Sequence, residues 1–128
     1  MRLLIDTHTF LWFIMGNSKL SLKARALIEE EGNEKLLSTA SLWEMAIKIS
    51  LGKLSFAEPF SELIPQQIEI NGIKLLNIGI NHLSRLTSLP FHHRDPFDRL
   101  LVAQCIVERL PLASADSVFD DYPVERIW

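Results

Sequence analysis

Four acids in this chain stand at positions where chemistry explains them better together than folding explains them singly. Asp6 closes the apolar run Arg2-Leu3-Leu4-Ile5. Glu44 ends Ser41-Leu42-Trp43-Glu44. Asp98 lies at the opening of the apolar stretch Pro96 to Arg109. Asp116 follows Leu112-Ala113-Ser114-Ala115. Carboxylates packed side by side repel, and some take up protons unless a cation joins them. A carboxylate-rich site with water suits Mg2+ or Mn2+ rather than zinc, which prefers His and Cys. One or two such ions activate a water, neutralise phosphate charge and stabilise a leaving oxygen, which are the three needs of phosphodiester hydrolysis.

Each acid also has a plainer use. Asp6 can cap the helix after it. Ser41 and Glu44 form a capping-box pattern, the firmest of these alternatives. Asp95 before Pro96 is a good N-cap, and Asp98 in the first turn suits the helix dipole. Asp116 can cap a short turn from Ser117 to Phe119. An Asp closing an apolar first strand has the weakest structural excuse, and the coincidence of all four tips the balance towards a site.

That coincidence depends on the elements that carry the acids. The spacing predicts strands at Arg2 to Ile5, Lys35 to Ser38, Lys74 to Ile78, Pro111 to Ser114 and Val124 to Trp128. Helices are expected over His8 to Met15, Leu22 to Glu31 (capped by Ser21), Ser41 to Leu51, Phe60 to Ile70, Asn81 to Leu86 and Pro96 to Arg109. Gly16-Asn17, Gly32-Asn33, Gly52 and Asn71-Gly72 mark stops. Strands alternating with helices imply one parallel sheet covered on both faces, an α/β/α sandwich. Right-handed crossovers gather the strand ends at one edge, where ligands bind in such folds. Asp6 and Asp116 end strands there, and helices leaving that edge begin with Glu44 and Asp98 in their first turns.

The 128 residues suit a single domain, residues 1–128, and 48% apolar content is enough for a core. No apolar run approaches the roughly 20 residues that span a bilayer, and Asp6 interrupts the place where an export signal would carry its apolar stretch. The lone Cys105 cannot form an internal disulfide and fits a reducing, cytoplasmic setting as a buried inert thiol. A net charge of −3 does not advertise a polyanion as substrate, yet setting the four acids aside leaves the remainder at +1.

In order along the chain, these pieces resemble the PIN-domain nucleases, of the kind found as VapC-type toxins of toxin–antitoxin pairs. The resemblance rests on Leu3-Leu4-Ile5-Asp6-Thr7-His8, Ser38-Thr39-Ala40-Ser41-Leu42-Trp43-Glu44 with Lys48 and Gly52-Lys53-Leu54, His93-Arg94-Asp95-Pro96-Phe97-Asp98-Arg99-Leu100-Leu101-Val102-Ala103-Gln104, and Leu112-Ala113-Ser114-Ala115-Asp116 with Phe119. It covers essentially the whole chain. It implies Mg2+- or Mn2+-dependent RNA cleavage in the cytoplasm, a cognate antitoxin that blocks the acidic cleft, and a homodimer. Matched motif by motif, Asp6, Glu44, Asp98 and Asp116 are the acidic quartet, with Asp6 and Asp98 the most direct ligands. Ser114 is the hydroxyl that orients the last acid or a water. The family's Asp-x-x-Leu/Ile-x-Ala pattern selects Asp98 over Asp95, which is left as a cap or supporting group.

Around the quartet, Lys48, Lys53, Arg85, Arg94, Arg99 and the His92-His93 pair are candidates to touch RNA phosphates, each competing with an ordinary surface role. His8 is a further neighbour of Asp6. Trp12, Trp43, Phe10 and Phe13 can stack on bases, but their helical spacing fits a core or an interface better. The competing function is a PIN-like module that binds RNA or protein without cutting. Loss of an acid would favour it, and all four are present. A haloacid-dehalogenase reading needs Asp-x-Asp after the first strand and meets His8 instead. A phospho-receiver reading needs an acid ending the third strand and meets Gly79.

Overall fold

The computed structural model describes residues 1–128. Five strands, β1 (Arg2–Ile5), β2 (Glu34–Ser38), β3 (Ile73–Leu76), β4 (Leu112–Ala113) and β5 (Arg126–Ile127), form one sheet in the order β3-β2-β1-β4-β5. Every pairing is parallel. Six helices connect them: α1 (Thr7–Met15), α2 (Leu22–Glu29), α3 (Thr39–Ser50), α4 (Phe60–Ile70), α5 (Ile80–Thr87) and α6 (Pro96–Glu108). No helix is long and apolar enough to cross a membrane.

Strand alternation explains the two covered faces. Register places Leu4 beside Leu36 and Leu112, and Ile5 beside Leu37 and Ala113. Successive side chains point to opposite faces. Leu4, Leu36 and Leu112 therefore join Leu101, Val102, Cys105 and Phe119 in one core. Ile5 and Leu37 join Phe10, Leu11, Ile28, Met45 and Ile64 in the other. The result is the expected α/β/α sandwich, with β1 at its centre and buried on both sides. Cys105 is buried, as its apolar context implied, and desolvation pushes its thiol pKa far up.

The element bounds moved in ways that matter for the site. α3 begins at Thr39 rather than Ser41, because strand β2 stays paired through Ser38 and the chain turns into the helix without a loop. Ser38 is the N-cap, accepting the Ala40 N–H at 3.0 Å. The Ser41–Glu44 capping box therefore does not exist. Ser41 is buried inside the helix, and Glu44 lies in the second turn, not the first. β3 and β5 are shorter than their apolar runs, ending at Leu76 and Ile127. α1 does stop at Gly16, whose left-handed φ of 64° lets its N–H return to the Phe13 carbonyl.

The long helix α6 is almost entirely buried along its middle. Leu101 has no solvent exposure and sits beneath the β1–β4 seam. Leu101→Ala should cost about 2–5 kcal/mol by urea unfolding. A loss well below that range would show that α6 is not packed as described.

Candidate active site

Four elements deliver the acids to the carboxyl edge of the sheet. Asp6 leaves β1 and caps α1, its Oδ1 accepting the Thr9 N–H at 2.8 Å. Asp116 follows β4 and caps the 3-10 turn Ser117–Asp121, its Oδ1 accepting the Val118 N–H at 3.0 Å. Both capping jobs are real, and each uses only one carboxylate oxygen on a backbone N–H. Asp95 is the N-cap of α6, accepting from Phe97 and Asp98 N–H groups at 2.8 and 3.3 Å. That duty places Asp98 in the first turn, facing inwards, with Asp95 as its supporting neighbour.

The acids meet. Burial, then the charges of Asp95, Glu44, Asp6 and Asp116, push the Asp98 pKa from 3.8 up to about 8. Desolvation likewise raises Asp6, partly offset by the Ser114 hydroxyl and the Thr9 cap. The tightest group is one that the acids alone do not describe: donor atoms of His93, Asp98 and Asp116 all lie within 4.8 Å of one another. A cleft of about 260 Å³ beside them is lined by Asp6, His8, Trp12, Ala115 and Asp116. His8 thus borders the site, exposed and tilted against Trp12.

Glu44 is held differently. Thr7 Oγ1 lies 2.9 Å from both Ser41 Oγ and Glu44 Oε1, and Lys48 Nζ lies 2.8 Å from Glu44 Oε2. The whole cluster is screened from solvent except for the lysine. Both Glu44 oxygens are therefore engaged by protein. Its negative charge is balanced within α3, and Lys48 is its counter-ion rather than a free cation awaiting phosphate.

Arg99 also departs from expectation. It is buried, its guanidinium donating to the carbonyls of Leu89 and Pro90 at 3.2 and 2.8 Å and lying 3.8 Å from the Phe91 ring centre. It clamps the loop before α6 and is not available to RNA. Arg85 bonds Ser88 at 3.1 Å. Lys53 and Arg94 remain exposed. Phe10 is core, Trp12 packs edge-on against Trp128, and Trp43 is 59% exposed with its edge on Phe97 at 5.1 Å.

Ser114 lies fully buried behind the acids, accepting the Asp116 N–H at 3.1 Å. Thr9 Oγ1 donates to the Ala113 carbonyl at 3.1 Å, and Arg126 donates to the Ser114 carbonyl at 3.1 Å while forking onto Asp120. These bonds hold the β4 end against α1. Sequence reading missed Thr7 and Tyr122. Thr7 was visible between Asp6 and His8, but its partner Ser41 had been assigned to a cap. The Tyr122 hydroxyl, which accepts the His92 and His93 N–H groups at 3.1 and 2.9 Å, had no pattern to reveal it.

The carboxylate oxygens of Asp98 and Asp116, with Asp6 close enough to raise the Asp98 pKa, are the oxygen-rich set that suits a hard divalent cation. The largest cleft, about 580 Å³, lies elsewhere, between α4 and β3. It is lined mainly by apolar groups such as Phe60, Ile64 and Ile68 and carries no comparable chemistry.

Comparison with known proteins bears on the family and the fold. A family model of the PIN domain matches residues 3–125. Ribonuclease VapC16 of Mycobacterium tuberculosis is 37% identical over 60 residues, which span 47% of this chain and 43% of that protein. The chain thus aligns with less than half the length of that relative. Among solved structures, VapBC2 from Rickettsia felis, bound to a DNA fragment from its promoter, superposes with a TM-score of 0.74 at 14% identity, covering 99% of this chain and 98% of that one. A toxin-antitoxin complex from Klebsiella pneumoniae reaches 0.67 at 16% identity, over 98% and 96% of the two chains. FitAcB from Neisseria gonorrhoeae reaches 0.66 at 15%, over 100% and 97%. At these identities the structures speak for the fold alone, while the family match spans nearly every residue, and the chain belongs to the PIN domain family.

Proposed function

We propose that this protein is a metal-dependent endoribonuclease and the toxin of a toxin–antitoxin pair. The observation that carries the reading is the convergence of Asp6, Asp98 and Asp116, with Glu44 beside them, at the carboxyl edge of the sheet. Acids gathered within reach of one another, Asp6 and Glu44 buried and Asp98 half-buried, make a metal-free site that is electrostatically unfavourable by itself. Asp98 shows the consequence, holding a proton near neutral pH. The relative named a ribonuclease, and neighbours that are toxin–antitoxin complexes, support the activity and the partner.

Asp6, Asp98 and Asp116 would hold one or two Mg2+ or Mn2+ ions through carboxylate oxygens that no backbone N–H claims. Bound there, such an ion supplies an activated water and neutralises charge on the scissile phosphate. The chain does the rest. The starts of α1 and α6 face the site and favour anionic groups, phosphate included. Glu44, already balanced by Lys48 and fixed by Thr7, serves as a charged wall of the cleft rather than a freely moving ligand. Among the cations that the motifs single out, Lys53 and Arg94 are exposed and could contact the RNA backbone. Trp43 and Phe97 offer an exposed aromatic edge for a base. The antitoxin and a second copy of the chain would cover apolar surface, of which Ile80 and Leu83 on α5 are clear examples, 87% and 46% exposed. The cytoplasm, where RNA is met, is the proposed location.

Asp6→Asn and Asp98→Asn should each lower Mg2+- or Mn2+-dependent cleavage of RNA by on the order of a hundredfold or more, since the charge stabilisation lost is several kcal/mol. Circular dichroism should show both variants folded. Undiminished cleavage in excess chelator would remove the metal from the reaction. A chain with all four acids that cuts no RNA under any divalent ion would point instead to a binding module.

Proton linkage gives a second check. Folded Asp98 keeps its proton up to about pH 8, whereas the unfolded carboxyl loses it near 3.8. Across that window the native state binds more protons, so metal-free stability falls as pH rises. Asp98→Asn should flatten this slope and leave the metal-free variant more stable than wild type at pH 8 and above. Mn2+ affinity of the wild type should rise with pH through the same range, because binding must displace that proton. A flat affinity profile by calorimetry would show that Asp98 is not protonated.

A further inference from the structure

The loop from Leu89 to Asp95 is fixed from several sides, and what it presents is the His93 ring. Arg99 holds the carbonyls of Leu89 and Pro90. The Tyr122 hydroxyl donates to the Pro90 carbonyl at 3.0 Å and accepts the backbone N–H groups of His92 and His93. These bonds use backbone atoms only, so they place the imidazole without involving it. Its Nε2 ends 3.0 Å from Asp98 Oδ2 and 3.7 Å from Asp116 Oδ2, and it is closed off from solvent.

We infer that His93 is a positioning residue that turns an Nε2–H towards Asp98, with Asp116 within electrostatic reach, and that it is not a metal ligand. The other ring nitrogen decides this. Nδ1 accepts the Asp95 N–H at 3.2 Å. A neutral imidazole that accepts at Nδ1 carries its proton on Nε2, and a protonated nitrogen has no lone pair for a metal. Ligation through Nε2 would move the proton to Nδ1 and set it against the Asp95 N–H, donor to donor. Histidines that ligate metals show the reverse arrangement, with the second nitrogen donating to an acceptor. Nε2 makes no well-directed hydrogen bond to either carboxylate, so its hold on them is electrostatic and short-ranged. The ring thus faces Asp98 and Asp116 together and helps to set their spacing before any cation arrives. Phe119, 6.0 Å from the ring centre, backs it from the core side.

Nitrogen-15 NMR of the histidine rings tests this directly, with His93 assigned by comparison with His93→Gln. The expected pattern is the Nε2–H tautomer both in the metal-free protein and after saturation with Mg2+. A signal for Nδ1–H in either state overturns the assignment. Mn2+ calorimetry supplies the functional half, which rests on the proposed metal site. His93→Ala should weaken binding by about tenfold or more, the usual effect of removing a group that orients a ligand. His93→Gln, which restores an N–H donor at a similar reach, should recover most of the affinity. Equal losses in both variants, or no loss in His93→Ala with an unchanged melting temperature, refute the role. If the wild type takes up no Mn2+, the metal reading of the acids fails by itself, and the tautomer still decides the place of His93.

Discussion

Mutual repulsion among crowded carboxylates is the constraint around which this end of the molecule is organised. A parallel sheet brings the ends of β1 and β4 together and starts α1, α3 and α6 nearby, so several acids can be delivered to one spot from distant parts of the chain. The same geometry supplies what makes the crowding tolerable. Helix starts carry unpaired N–H groups and the positive end of the peptide dipoles. Asp6 and Asp116 each use one oxygen on such N–H groups, and Asp95 caps α6 for Asp98. A cap bond takes only one oxygen of each carboxylate, so a capping role does not by itself exclude a second one.

The remaining charge is handled locally and in different ways. Glu44 is balanced by Lys48 one turn along and fixed by Thr7 across the α1–α3 contact. Asp98 is partly relieved by taking up a proton, and His93 turns a ring N–H towards it, with Asp116 within electrostatic reach. Cations that a linear reading assigns to RNA are in two cases spent on the protein itself. Lys48 serves an acid, and Arg99 serves the carbonyls of a loop that has no strand or helix to satisfy them. Of the lysines and arginines so assigned, Lys53 and Arg94 are the ones left exposed.

The supporting bonds are concentrated where a small movement would matter most. Thr9, Ser114 and Arg126 fix the short strand β4, which has only two residues in the ladder and would otherwise hold Asp116 loosely. Tyr122 and Arg99 do the same for the loop before α6. The site is therefore built on rigid elements through most of its circumference, which suits groups that must keep fixed spacing.

By itself, the sequence determined the architecture and the acids. Apolar runs of strand length alternating with helical periods admit little besides a covered parallel sheet, and the direction of the crossovers then dictates the edge where Asp6, Asp98 and Asp116 emerge. Local patterns also placed the Gly16 stop and the Asp95-Pro96 helix start, because backbone sterics and capping act within a few residues. Tertiary structure decided everything that depended on partners far along the chain. Ser41 reads locally as a cap, yet strand pairing through Ser38 starts the helix early and turns Ser41 towards Thr7, 34 positions away. Arg99 reads as a surface cation, yet the loop folded over α6 claims its guanidinium. His93 reads as one of two loop histidines, and only the hydroxyl of Tyr122, 29 positions later, aims its ring at the acids. Pair contacts of this kind leave no periodic signal, since any one residue can supply the donor and the chain between is free to vary.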